Sequence, residues 1–223
     1  MNAIAAHAGT INRGVRSRGS EATIVLRPCS ALWVPMALTL GPAAAHSAPG
    51  QYLGFALQPV RMCFHLLSAE DGCGVSLEHL DDVAVHYPDG SILVEQAKSA
   101  LSHNALSDWS SDLWKTIANW LEAIRSGELD PNKTLFHLYV TPTKVGKFAN
   151  AIHVSDSAKQ VDALTKEIRQ KLKSRKGIPA CIEHLEVFLS ATDSERFELL
   201  KRITVVSRDD DPLDALRAQL RAT

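Results

Sequence analysis

The chain has 223 residues, of which 45% are hydrophobic, 22% charged and 6% aromatic. These proportions suit an ordinary soluble globular protein and exclude collagen-like, mucin-like and wholly disordered classes. A net charge of -1 announces no nucleic-acid or membrane partner. Cys29, Cys63, Cys73 and Cys181 contain no CxxC pair; this argues against a disulfide framework or a zinc module and makes the reducing cytoplasm the expected compartment.

The charge is unevenly distributed. Residues 1–50 carry four arginines and one Glu, and residues 51–132 carry twelve acids and four bases. Residues 133–177 reverse the sign with ten bases and three acids, and residues 178–223 hold nine acids and six bases. An acidic half followed by a basic block suits an enzyme that binds a cation through carboxylates and a polyanion through Lys and Arg. A plainer reading is that Lys166, Arg169, Lys171, Lys173, Arg175 and Lys176 form the wetted face and end of a helix.

Residues 1–50 are rich in Ala, Gly, Ser and Arg and show no sustained period, so they read as a disordered tail or as a translation start placed upstream of a true beginning near Met36. The apolar stretch Ala31–Ala45 has the wrong flanks for a signal peptide, with Arg27 before it and Pro35 and Pro42 within it. It is also short of the roughly 20 residues that span a bilayer, so no membrane partner is expected.

A domain is expected over residues 51–210. Residues 51–67 read as a helix interrupted or begun at Pro59, followed by a loop over 68–74. Val83, Val85 and Tyr87 alternate with Asp82, Ala84 and His86 as a strand. Pro88-Asp89-Gly90-Ser91 is a hairpin turn, and Ile92–Lys98 is the returning strand. If Pro88 faces Ser91, Asp81 lies opposite Lys98 and Asp82 opposite Ala97. Gln96 and Lys98 share a face, which simple pairing gives to Asp81 and a bulge or one-residue slip gives to Asp82. An acid and an amide oxygen there can hold a hard cation such as Mg²⁺, with Lys98 steadying the attacking water or the developing charge on a phosphodiester.

Downstream, Asp108–Ile124 reads as an amphipathic helix capped by Gly127, whose Trp114 and Trp120, with the preceding Trp109, are core residues rather than base-stacking platforms. Leu135–Thr141 reads as a buried strand and Ser157–Ser174 as a basic helix. Glu186–Ser190 reads as a strand, Asp193–Arg202 as a helix with Asp193 at its N-cap, and Ile203–Ser207 as a last strand. Residues 211–223 form a final helix, from Pro212 to Leu220, or the start of a further domain. Alternating strands and helices make the fold class α/β.

The hairpin and its surroundings resemble the PD-(D/E)xK nuclease superfamily, and more closely the endonuclease domain of CBASS anti-phage effectors. The resemblance rests on Gly54-Phe55-x-x-Gln58, Glu78-x-x-Asp81-Asp82-Val83, Glu95-Gln96-x-Lys98, Leu106-Ser107-Asp108 and Asp112-Leu113-Trp114-Lys115-Thr116 leading into Asn119-Trp120. It implies a restriction-endonuclease-like core sheet flanked by helices and a Mg²⁺- or Mn²⁺-dependent activity on double-stranded DNA. Asp82, Gln96 and Lys98 would be catalytic, with Asp82, Gln96, Glu78 and Asp81 as metal-site candidates and Glu78 or Gln58 completing the metal or water shell. Asp82 is favoured over Asp81 because the superfamily's acid stands just before the apolar strand residues. Lys115, Lys144, Lys147 and Lys166 are candidate DNA contacts. Gln96 departs from the acid usual at its position. The resemblance also implies a cyclic-oligonucleotide sensor domain, which would begin about where this chain ends. A homo-oligomer is the geometric expectation for cutting two strands with one site per chain.

Overall fold

The computed structural model describes residues 49–208 and 212–222, with side chains from Gly54 onward. The expectations for residues 1–48 and for Cys29 lie outside the described residues. The elements in chain order are α1 (Pro49–Ser68), β1 (Gly74–Leu77), β2 (Val83–His86), β3 (Ile92–Ser99), α2 (Ser111–Ser126), β4 (Thr134–Thr141), α3 (Lys147–His153), α4 (Ala158–Ser174), α5 (Ile182–Ser190), α6 (Asp193–Leu200), β5 (Ile203–Ser207) and α7 (Pro212–Ala222). The fold is mixed α/β. One five-stranded sheet runs in the order β1-β2-β3-β4-β5; β1, β2 and β3 pair antiparallel, while β3, β4 and β5 pair parallel.

The helices take the two faces of that sheet. Val94, Phe136, Leu138 and Val140 point into the larger core with Trp114, Ile117, Trp120, Phe148 and Phe188. Ala97 and Tyr139, one residue out of phase, point to the other face, where Leu57 of α1 covers them. α2 ends as its sequence implies, with Gly127 left-handed at φ 78°. It begins later than the apolar period suggests, because Asp108 accepts the Phe148 N–H (2.9 Å) and Ser110 caps the helix instead. Trp114 and Trp120 are buried and Trp109 partly so, as expected of core residues. α7 lies along α1, with the Gln219 amide 3.5 Å from the Leu67 carbonyl.

Several expectations are corrected. α1 runs through Pro59 without a break: proline's φ suits a helix, only one N–H is lost, and Leu57, Gln58 and Arg61 anchor the turns around it. Glu186–Ser190 belongs to helix α5, where Cys181, Leu185 and Phe188 bury at helical spacing. Thr192, not Asp193, caps α6: its hydroxyl accepts from Glu195 N–H, and Glu195 in turn accepts from Thr192 N–H. β1 and α3 were not anticipated. β1 is an edge strand of four residues held by pairing with β2, and α3 is a seven-residue helix seated by Phe148, Ala149 and Ile152.

The link between α1 and the sheet is ionic as well as apolar. Glu95 on β3 is fully buried and receives Arg61 Nε at 2.7 Å and Nη2 at 2.8 Å. His65 Nε2 lies 3.0 Å and His137 Nδ1 3.9 Å from the same carboxylate. The Arg61 guanidinium also stacks 3.9 Å from the Tyr139 ring centroid. Burial pushes the Glu95 carboxyl up, but the bonds from Arg61, His137 and His65 override it and hold it well below the usual range.

Breaking this pair strands a buried charge, so Glu95→Ala is expected to lose about 3–5 kcal/mol in urea unfolding. A depressed carboxyl stabilises the fold above the ordinary glutamate value of 4.5 and ceases to do so as pH falls through its folded value. The stability difference between the wild type and Glu95→Gln is therefore expected to shrink progressively as pH drops from 4.5 towards that value.

Candidate functional site

The β2–β3 turn determines which acid reaches the site. Gly90 N–H donates to the Tyr87 carbonyl (3.0 Å), Tyr87 N–H donates to the Ser91 carbonyl (2.9 Å), and Gly90 is left-handed at φ 80°. This is a three-residue loop of a type I turn closed by a glycine bulge. It pairs His86 with Ile92 and Val83 with Glu95, one residue away from the register expected if Pro88 faced Ser91. The shift brings Asp82, rather than Asp81, beside Gln96.

Asp82 is held from three directions. Gln58 Nε2 of α1 donates to Oδ1 at 2.8 Å, Ala97 N–H donates to Oδ2 at 2.9 Å, and Gln96 Nε2 donates to Oδ2 in a short contact. Burial pushes its carboxyl up, opposed by the Ala97 bond, the Lys98 charge and the two amides. Asp81 turns away: it accepts Trp120 Nε1–H at 2.6 Å and the Asp82 N–H at 2.9 Å. Burial pushes its carboxyl up to about 6.

Asp82, Gln96 and Lys98 line one open cavity of about 840 Å³, together with Gln58, Glu78 and Lys115. Glu78, in the β1–β2 connection, has a left-handed backbone at φ 52° and donates its N–H to the Asp82 carbonyl. That conformation is uncommon outside glycine and recurs at functional sites. Of the other expected residues, Asp81 does not line the cavity; it packs against α2. Lys144, Lys147 and Lys166 lie elsewhere. Lys147 pairs with Glu167 at 2.6 Å and Lys166 with Asp162 at 2.7 Å, and Lys171 is shared between Glu167 and Asp108. Much of the basic block thus belongs to paired, wetted helix surface, and Lys115 is the expected DNA contact that reaches the cavity.

The donor set suits a hard cation. The Asp82 and Glu78 carboxylates and the Gln58 and Gln96 amide oxygens are all oxygen ligands, and Mg²⁺ commonly takes one or two carboxylates while keeping several waters. An amide that donates to Asp82 presents its oxygen instead after a half-turn about its last side-chain bond. Among the described residues no three His, Cys, Asp or Glu side chains form a metal-binding group.

Sequence reasoning passed over Ser99 and His103 and took Asp112 and Asn119 only as parts of matching motifs; all four border the cavity. His103 is one of nine histidines, and no spacing singles it out; only the return of the post-β3 loop onto α2 brings it in. His86, one step towards the turn from the site, bonds Ser76 at 2.9 Å.

No protein-family model matches the chain, and no curated protein does. Among the described residues no helix is long and apolar enough to cross a membrane.

The Asp81–Trp120 bond ties the β1–β2 connection to α2 in a half-buried setting. Trp120→Phe keeps most of the packing and removes the donor. It is expected to destabilise the protein by about 1–3 kcal/mol in thermal or urea unfolding, because Asp81 is left half-buried with a lost partner.

Proposed function

We propose that the chain is a metal-dependent endonuclease of double-stranded DNA, built on a PD-(D/E)xK-type core and serving in anti-phage defence as the CBASS effector nucleases do. The observation that carries this reading is the convergence of Asp82, Gln96 and Lys98 on one open cavity. The order of three antiparallel and three parallel strands sharing β3 supports it, because β3 carries both Gln96 and Lys98 at the end of the sheet that meets α1 and α2.

A bound Mg²⁺ or Mn²⁺ would polarise a phosphoryl oxygen and acidify a water there. Asp82 and Gln96, with Glu78 beside them, would hold it. Gln58 and the Ala97 N–H keep the Asp82 carboxylate pointed at the cavity, and Lys98 offers its ammonium to charge developing on the phosphate. Lys115, exposed on α2 and bordering the same space, binds a neighbouring phosphate. One cavity per chain addresses one strand at a time, so a homo-oligomer of two sites would make the double-strand break. In the family that this resembles, a cyclic-oligonucleotide sensor governs such a nuclease.

A second reading draws on the contacts at Asp82. Both of its oxygens already accept bonds from Gln58, Gln96 and Ala97, and the neutral Gln96 is a weaker cation ligand than an acid. A protein with this geometry would bind DNA without cutting it, in a salt-sensitive manner.

Plasmid cleavage with Mg²⁺ or Mn²⁺, with EDTA, and with Lys98→Ala separates the two. The nuclease reading expects cutting that EDTA stops and that Lys98→Ala reduces by about 100-fold or more. Retained cutting in Lys98→Ala refutes the assignment of the centre, and DNA retention without product supports the binding module.

A further inference from the structure

The cavity has a second wall, formed by the loop after β3 and the start of α2, which the preceding reading leaves without chemistry. His103 Nε2 lies 2.5 Å from Asp112 Oδ2, and both side chains line the cavity with Asp82, Gln96 and Lys98. The loop that carries His103 is braced. Asn104 Nδ2 donates to the Val145 carbonyl at 2.8 Å, and Asn104 Oδ1 accepts the Leu106 N–H at 2.9 Å. Gly146 packs so closely on Leu106 that a Cβ there would meet the Leu106 carbonyl oxygen at 1.5 Å. Asp112 stands in the first turn of α2, a helix whose Trp114 and Ile117 are buried. An imidazole left 59% exposed is thus carried by a fixed loop and oriented by a carboxylate on a fixed helix.

A carboxylate that engages one ring nitrogen sets the ring's orientation and leaves the other nitrogen to handle a proton. Here the other nitrogen, Nδ1, faces the exposed Ser102 hydroxyl at 3.0 Å. The charged groups that border the same space are Glu78 and Asp82 from the β1–β2 connection, Lys98 from β3, and Asp112 and Lys115 from α2.

We propose that His103 is the general acid of the hydrolysis, with Asp112 as its positioning residue; this rests on the nuclease reading. Water entering from the Asp82–Lys98 wall forms the new P–O bond and gives its proton to solvent. The bond from phosphorus to the leaving sugar oxygen breaks, and the electron pair stays on that oxygen. The reacting form of His103 is the imidazolium: the oxygen displaces the Ser102 hydroxyl at Nδ1 and takes the Nδ1 proton, the ring keeps its Nε2 proton on Asp112, and solvent then restores the Nδ1 proton. The only co-reactant is water.

The test uses the full chain and a labelled duplex whose scissile linkage carries either oxygen or a bridging sulfur as the leaving atom, made in both the 3′ and the 5′ form. Sulfur departs without needing a proton. His103→Ala is expected to slow cleavage of the oxygen linkage by about 100- to 1,000-fold while leaving one of the two sulfur linkages cut at nearly the wild-type rate. Asp112→Ala is expected to show the same pattern more weakly. A structural role for the pair would slow both linkages alike, and that result, or no slowing at all, overturns the general acid while the nuclease reading stands on wild-type cleavage. Wild-type protein that cuts no linkage with metal present overturns both. Without metal or DNA, the ring N–H proton spectrum of His103 should show a downfield Nε2–H resonance from its hydrogen bond to Asp112, a signature lost in Asp112→Ala; an unchanged signature overturns the positioning role. Thermal unfolding of each variant confirms that it folds.

Discussion

The register between β2 and β3 is the constraint on which the site depends. Strand side chains alternate faces, so a change of one residue in pairing exchanges everything that the two strands present. Gly90 in its left-handed bulge sets the three-residue loop, and the loop sets Val83 against Glu95. From that pairing follow Asp82 beside Gln96, Asp81 against Trp120, and Glu95 on the reverse face beneath α1. Two adjacent aspartates therefore have different work. One is held at the cavity by amides and a backbone N–H, and its neighbour is bonded into the helix layer.

The site is assembled by elements from both sides of the sheet. α1 contributes Gln58 from one face, β3 contributes Gln96 and Lys98 along its own length, and α2 contributes Asp112 and Lys115 from the other face. What keeps these layers in step is the buried ion pair behind β3. Arg61 and Gln58 are both on α1, three residues apart, so the side chain that neutralises Glu95 and the one that holds Asp82 move as a unit. Such a pair adds little net stability compared with apolar packing, but it fixes how α1 sits on the sheet.

The strands around the hairpin were legible because their patterns are local. Val83, Val85 and the Asp-Gly turn, the continuous apolar run of β4, and the span Ile203–Ser207 all carry signals within a few residues. The elements that escaped depend on partners distant in sequence. β1 exists because β2 pairs with it, α3 because Phe148 has a core to enter, and α5 because a short apolar run buries every third or fourth residue rather than every second. The same holds at the site. Asp82, Gln96 and Lys98 are close in sequence along one hairpin and could be read together, with only the register left open. His103, and the Arg61–Glu95–His65–His137 group, meet only after the chain has closed on itself.

Pro59 has an effect on motion. Lacking an N–H, it gives no helical hydrogen bond to the carbonyl of Phe55, four residues earlier. The turn of α1 that carries Gly54 and Phe55, both of which border the cavity, is therefore tied to the rest of the helix by one bond fewer. The turns beyond it are secured by Arg61 on Glu95 and by α7. Local opening has the lowest cost where backbone bonds are fewest, so this end of α1 can lift from the cavity mouth while the sheet and the ionic pair beneath it stay closed. The cavity mouth would then widen by the fraying of a single helical turn, with no rearrangement of the core.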